Sequence, residues 1–150
     1  MFRAATSKQI NVALTVLRLV LGSIFIAHGA QKIFVFGFAG VAGAFGHMGV
    51  PAAGLLGPFV ALVEFFGGVA IVLGLLTRLA ALGLASTMVV AIALVHAKNG
   101  FFNPQGFEFP LSLLGIALAL ITTGAGDYSV DALIRNRGEE KEPIQLRRAA

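Results

Sequence analysis

The residues of this chain best suited to chemistry are few and unusually placed. His28, Lys32, Glu64, His96, Lys98 and Glu108 all interrupt or border long apolar blocks, and Glu64 is the sole acid deep inside one. Imidazole, ammonium and carboxylate groups together can hydrogen-bond the oxygens of a small ligand and pass protons to or from it. They can equally well do no more than neutralise one another. An ionisable group in a bilayer costs about 2.5–3.5 kcal/mol on insertion scales, so each needs a partner or a purpose. Glu64 as a structural ion-pair partner, Lys32 and Lys98 as interface anchors and His96 as an interfacial histidine are the plainer alternatives, and both kinds of reading stay open here. Arg18 is a further counter-charge, able to snorkel to the nearer interface or to turn into the bundle. His28, Glu64 and His96 are metal-ligating types, yet the chain has no short ligand motif such as two histidines one turn apart, and no metal site is expected.

The elements that must position these groups follow from hydropathy. Apolar blocks at about 12–36, 55–76, 79–97 and 110–126 read as membrane spans, judged against the roughly 20 residues that cross a hydrocarbon layer. The expected fold is therefore all-α, an integral membrane four-helix bundle. Its last span is short, with Phe107 to Phe109 extending it into the interface. A glycine-rich stretch joins the first two spans and holds a short re-entrant or interfacial helix near 39–48. Thr77-Arg78 reads as the tight turn between spans two and three, and residues 98–110 as a turn-rich loop. Asp127-Tyr128-Ser129-Val130-Asp131 reads as a helix start, and 135–150 as a polar, mobile tail.

Helical spacing sorts the polar residues by face. Arg18, Gly22, Phe25, His28, Gly29 and Lys32 fall within an arc of roughly 120° on the first span. Gly57, Ala61, Glu64, Gly67 and Gly68 line a comparable face of the second. Faces both polar and glycine-lined are those on which membrane helices approach closely around polar groups. At ~1.5 Å per residue, His28 and Glu64 both lie about 10–13 Å below the outer boundary. Depth thus favours His28 as the partner of Glu64, with Arg18 and Lys32 as the other counter-charges. The titratable groups converge on the outer half of the bundle.

Composition supports the membrane reading. The 150 residues are 57% hydrophobic and 12% charged, against roughly 25% charged in ordinary soluble domains. So much apolar surface cannot be hidden in one small water-soluble core. There is no cysteine, which excludes thiol relays, disulfides and thiolate metal sites. A net charge of +4 raises nucleic-acid binding, but the basic residues flank the apolar blocks instead of forming a patch, and no nucleic acid is expected. Arg3, Lys8, Arg78, Arg135, Arg137, Lys141, Arg147 and Arg148 fall on one side of the spans and only Lys32 and Lys98 on the other. The positive-inside rule then makes both termini, 1–11 and 135–150, cytoplasmic. A cleaved signal peptide is disfavoured, because Arg18 would interrupt its apolar region.

The ordered motifs are similar to those of a known family. Arg18-Leu19-Val20-Leu21-Gly22 followed by His28-Gly29-Ala30-Gln31-Lys32 resembles the first-span signature of DoxX membrane proteins. Glu64-Phe65-Phe66-Gly67-Gly68 and Gly74-Leu75-Leu76-Thr77-Arg78 resemble the second span and turn. Gly106-Phe107-Glu108-Phe109-Pro110 and Gly124-Ala125-Gly126-Asp127-Tyr128-Ser129-Val130-Asp131 resemble the entry and exit of the fourth. The likeness covers about 12–134. It implies a bacterial inner (cytoplasmic) membrane protein, multi-pass, associated with quinol oxidation or quinone-coupled sulfur oxidation; many members are described only as candidate oxidoreductases. Quinone is the cofactor implied, with the lipid bilayer, a redox protein and a second copy of the chain as partners. The competing expectations are a redox-associated subunit with a quinone slot, a non-enzymatic scaffold or anchor for a soluble partner, and a small-molecule or proton pathway.

Overall fold

The computed structural model describes residues 4–102 and 104–140, and among them the chain is wholly helical, without strands. Helix α1 (Ser7–Ala30) opens on a capping box. The Thr6 hydroxyl accepts from the Gln9 N–H at 3.3 Å, and the Gln9 side chain accepts from the Thr6 N–H at 2.8 Å. Thr-x-x-Gln satisfies two orphan donors of the first turn, so the helix starts ahead of the apolar block instead of at its edge. It runs on through a π-helical turn at Gln31–Phe36 and breaks at Gly37, whose φ of +66° is cheap only for glycine. The short helix expected near 39–48 is α2 (Gly37–His47).

Then follow α3 (Ala53–Leu73) and α4 (Thr77–Ala91), the latter prolonged by a π-helical turn at Ile92–His96 and a 3-10 turn at Ala97–Asn99. Helices α5 (Glu108–Thr123) and α6 (Val130–Glu140) complete the described chain. Among the described residues three helical stretches are long and apolar enough to cross a membrane: Ser7–His47, Ala53–Leu73 and Thr77–Asn99. Helix α5 is apolar but shorter. Two sequence expectations are corrected. The α3–α4 link is Gly74–Leu76, with Thr77 and Arg78 already inside α4. The polar segment from Arg135, expected to be a mobile tail, is helical as far as Glu140, and 141–150 lie outside the described residues.

Helix α1 packs chiefly on α3, α3 on α4, α4 on α5, and α2 folds back over α3. Leu21, Phe25, Ile71, Leu84 and Leu120 form the fully buried centre. The α1–α3 contact is antiparallel and almost backbone to backbone. A Cβ on Gly22 would sit 2.7 Å from the Gly68 carbonyl oxygen, and one on Gly68 would sit 2.8 Å from that of Gly22. Gly29 meets Phe65 as tightly, its added Cβ lying 2.7 Å from the Phe65 Cα. Dispersion and close approach, not expulsion of water, drive helix pairing in lipid, so these glycines fix which faces meet.

A polar clamp locks the end of the bundle away from α2. Arg18 is 3% exposed and turns inward, donating to the Ala125 carbonyl at 2.8 Å and the Tyr128 carbonyl at 2.6 Å. Asn11 and Asp127 bond reciprocally, at 2.6 and 3.0 Å. Asp131 reaches across to the start of α4 and accepts from the backbone N–H groups of Leu76 at 2.7 Å and Thr77 at 2.9 Å. That is an N-cap supplied from another helix. It holds Leu76 at a φ of +46°, and Gly74 beside it has a φ of +66°. This explains why the turn precedes Thr77: the C-terminal end of α3 closes on Gly74, and Asp131 takes the first free N–H groups of α4.

Two stability predictions follow from these contacts. Gly68→Val should lose about 2 kcal/mol or more in detergent–SDS unfolding, as overpacking of a tight contact does. Gly115→Ala, on an open face of α5, should stay within about 1 kcal/mol of the parent. Asp131→Ala should cost about 1–2 kcal/mol and expose the 74–77 turn to protease, with Asp131→Asn intermediate.

Candidate intramembrane site

The opposite half of the bundle holds a partly open cavity of about 280 Å³ between α1, α3, α4 and α5, overhung by α2 and the turn after it. Its wall is mostly apolar, with Phe25, Phe45, Met88, Val95, Phe109 and Leu113 among the lining residues. The polar exceptions are His28, Lys32, Glu64, His96 and Thr87. Four of the groups singled out from the sequence therefore share one cavity. Lys98 and Glu108 do not line it. Lys98 is exposed beyond the π-helical turn, and Glu108 opens α5, its carbonyl accepting from the Ser112 hydroxyl at 2.9 Å.

Glu64 stands near the middle of α3, 4% exposed, and its carboxylate pairs with the Lys32 ammonium. The expected partner was His28, matched in depth. Direction decides otherwise. Side chains on a helix lean toward its N-terminus. Because α1 and α3 run antiparallel, Lys32 leans inward from one turn above while Glu64 leans outward to meet it. His28 does lie at the depth of Glu64, one residue before the Gly29–Phe65 contact, but it faces α5. Its ring centroid is 6.3 Å from that of Phe109, with the planes at 47°. Arg18 is no counter-charge to Glu64, being engaged by carbonyls in the clamp at the other end.

His96 is held from behind by the 98–107 loop. Its Nδ1 lies 2.9 Å from the Gln105 carbonyl oxygen, which also accepts from the Asn99 side-chain amide at 3.3 Å. The loop is tied by its own backbone: the Phe107 N–H donates to the Gly100 carbonyl at 3.1 Å and the Glu108 N–H to that of Phe101 at 2.9 Å. Gly106 packs so closely under the Phe101 and Phe102 carbonyls that no side chain would fit there. Thr87 turns its hydroxyl to the Leu84 carbonyl at 2.7 Å and offers the cavity little.

Lys32 and His96 both ride on π-helical turns, in α1 and at the end of α4. Such turns re-aim side chains and recur at functional sites. Sequence reasoning missed them, and it missed Asp131 as the cap of α4; an acid five residues after a double-glycine stop was the available signal. Among the described residues no group of three or more His, Asp or Glu side chains is arranged to hold a metal ion.

Buried ion pairs are costly to break and cheap to replace as a unit. Lys32→Met should destabilise the folded state by about 2–3 kcal/mol, the ammonium being only partly buried, by the same measure of SDS unfolding. Lys32→Met combined with Glu64→Leu should recover to within about 1 kcal/mol of the parent.

Comparison with known proteins bears on this geometry. The family model for DoxX matches residues 13–97. The chain is 37% identical over 128 residues to "Inner membrane protein YqjF" of Escherichia coli, covering 85% of this chain and 95% of the relative. It is 32% identical over 128 residues to "Putative oxidoreductase CatD" of Bacillus subtilis, covering 85% and 91%. No solved structure matches the chain.

Proposed function

The chain belongs to the DoxX family and is a multi-pass protein of the inner membrane, and on that premise we propose that it binds a lipid-soluble aromatic ligand of the quinone type in the α1–α3–α4–α5 cavity, in support of a membrane redox system. The observation that carries this reading is the Lys32–Glu64 pair, its carboxylate buried and its ammonium partly so, set into a mostly apolar, aromatic-rich wall. A structural pair alone would be satisfied at a packed helix contact. This one borders an unfilled volume that His28 and His96 also reach. Apolar walls with a few converging polar groups are what small-molecule sites look like. An ammonium and an imidazole suit the oxygens of a quinone ring, and the carboxylate and imidazoles suit its protons. The name of the Bacillus subtilis relative is consistent with redox work and adds nothing about the ligand.

In this reading α5 is the fourth span. Its 16 residues rise about 24 Å, short of the ~30 Å hydrocarbon core, and Phe107 and Phe109 carry it into the interface. Both termini face the cytoplasm, since the clamp end also bears Lys8, Arg78, Arg135 and Arg137. The cavity then lies toward the outer leaflet.

Purification in mild detergent followed by lipid extraction and mass analysis tests the proposal. A quinone should co-purify in substantial molar ratio, and Glu64→Gln should lower its occupancy several-fold. Unchanged occupancy in that variant, or a parent protein carrying only phospholipid, would rule the reading out.

A further inference from the structure

The loop behind His96 does more than close the bundle. A carbonyl oxygen can only accept, so the 2.9 Å contact between His96 Nδ1 and Gln105 requires the proton to sit on Nδ1. The neutral ring then carries its lone pair on Nε2, the nitrogen left over for whatever fills the cavity it lines. The tautomer is fixed by backbone, because the Gln105 carbonyl belongs to a loop tied at Gly100, Phe101 and Phe102. Asn99 donates to the same oxygen and to the Val95 carbonyl, both at 3.3 Å, which holds the acceptor in place.

The other polar groups of the wall are committed differently. Lys32 is a donor and is engaged by Glu64, and the Thr87 hydroxyl is turned to its own helix. Among the described residues His28 makes a ring contact with Phe109 and no hydrogen bond fixes its tautomer, so it can donate or accept. In its neutral form His96 is thus an acceptor at Nε2, because the fold has set the tautomer in advance. A ligand oxygen opposite Nε2 is satisfied only if it brings a hydrogen. A carbonyl oxygen there would set lone pair against lone pair, and sites built around a buried hydrogen bond discriminate strongly against ligands that cannot make it.

We infer that His96 is a specificity-determining residue that selects the hydroxyl-bearing, reduced form of an aromatic ligand over its carbonyl-bearing, oxidised form. The inference rests on the proposed ligand site but adds which redox form it holds. Once a hydroxyl is bound, Nε2 can also take up its proton, because the resulting imidazolium keeps the Nδ1–H bond to Gln105 unchanged.

The test uses the full chain in lipid nanodiscs under anaerobic conditions, with empty nanodiscs to subtract partitioning. Tetramethylhydroquinone and tetramethyl-1,4-benzoquinone are the probes, and equilibrium dialysis gives a Kd for each. The parent should bind the hydroquinone about tenfold more tightly, equivalent to ~1.4 kcal/mol. His96→Phe should abolish that preference by weakening the hydroquinone alone, leaving the quinone Kd within about twofold. His96→Gln, whose amide oxygen can accept, should restore part of it. Equal binding of both probes by the parent, a preference that survives His96→Phe, or a variant in which both affinities fall together would each overturn the inference while leaving the ligand site standing. Binding of neither probe would overturn the inference and the quinone-type site together.

Discussion

At Gly29 the first helix touches the backbone of Phe65, the residue after Glu64, at a distance that no side chain would permit. Everything in the cavity half of the bundle depends on that contact. It sets the rotation of α1 against α3, brings Lys32 onto the carboxylate, and leaves His28 facing α5. With Gly22 and Gly68 repeating the close approach about two turns away, the two helices become a single rigid pair against which the rest is packed. In a bilayer there is little hydrophobic gain from helix association, so a geometric contact of this kind takes the place that apolar burial has in a soluble core.

The two ends of the bundle are held by different means. At the clamp end, Arg18, Asn11, Asp127 and Asp131 bond largely to backbone groups, and the chain crosses itself between residues far apart in sequence. Backbone partners are rigid, and a guanidinium shared between two carbonyls leaves little freedom. At the other end the Lys32–Glu64 pair joins side chain to side chain beside an open volume, while His96 and Thr87 bond backbone carbonyls. The clamp end is therefore tied mainly to backbone, and the cavity end only in part. Such a division suits a site that must admit and release a ligand.

Much of this arrangement was readable from spacing. The polar, glycine-lined faces of the first two spans correspond to surfaces that pack together, with Arg18, Gly22, Phe25 and Gly29 on one and Gly57, Ala61, Glu64 and Gly68 on the other all buried. Periodicity suffices there because membrane helices are long and straight enough for 3.6-residue counting to hold. The pairing of Lys32 with Glu64 was not readable from depth alone. Counting rise treats residues as points on a rod and ignores the lean of the side chains, which here is worth a full turn. The role of Asp131 was hidden for another reason: its partners, the N–H groups of Leu76 and Thr77, are backbone, and backbone carries no residue-type signal. The start at Thr6, by contrast, had a local motif that hydropathy overshadowed.

The π-helical turns at Gln31–Phe36 and Ile92–His96 carry one further consequence. A turn of this kind holds one residue more than an α-turn, so it acts as an insertion absorbed without breaking the helix. Whatever follows is rotated by about 100° relative to an uninterrupted helix. The bearing of α2 over the cavity, and of the loop that braces His96, is thereby encoded in chain length and not in any particular side chain. Among proteins built on this plan, losing or gaining a single residue within either turn would re-aim the roof or the rear wall of the cavity while leaving the membrane-crossing composition untouched. Reshaping the proposed site, on this architecture, is a matter of counting residues as much as of choosing them.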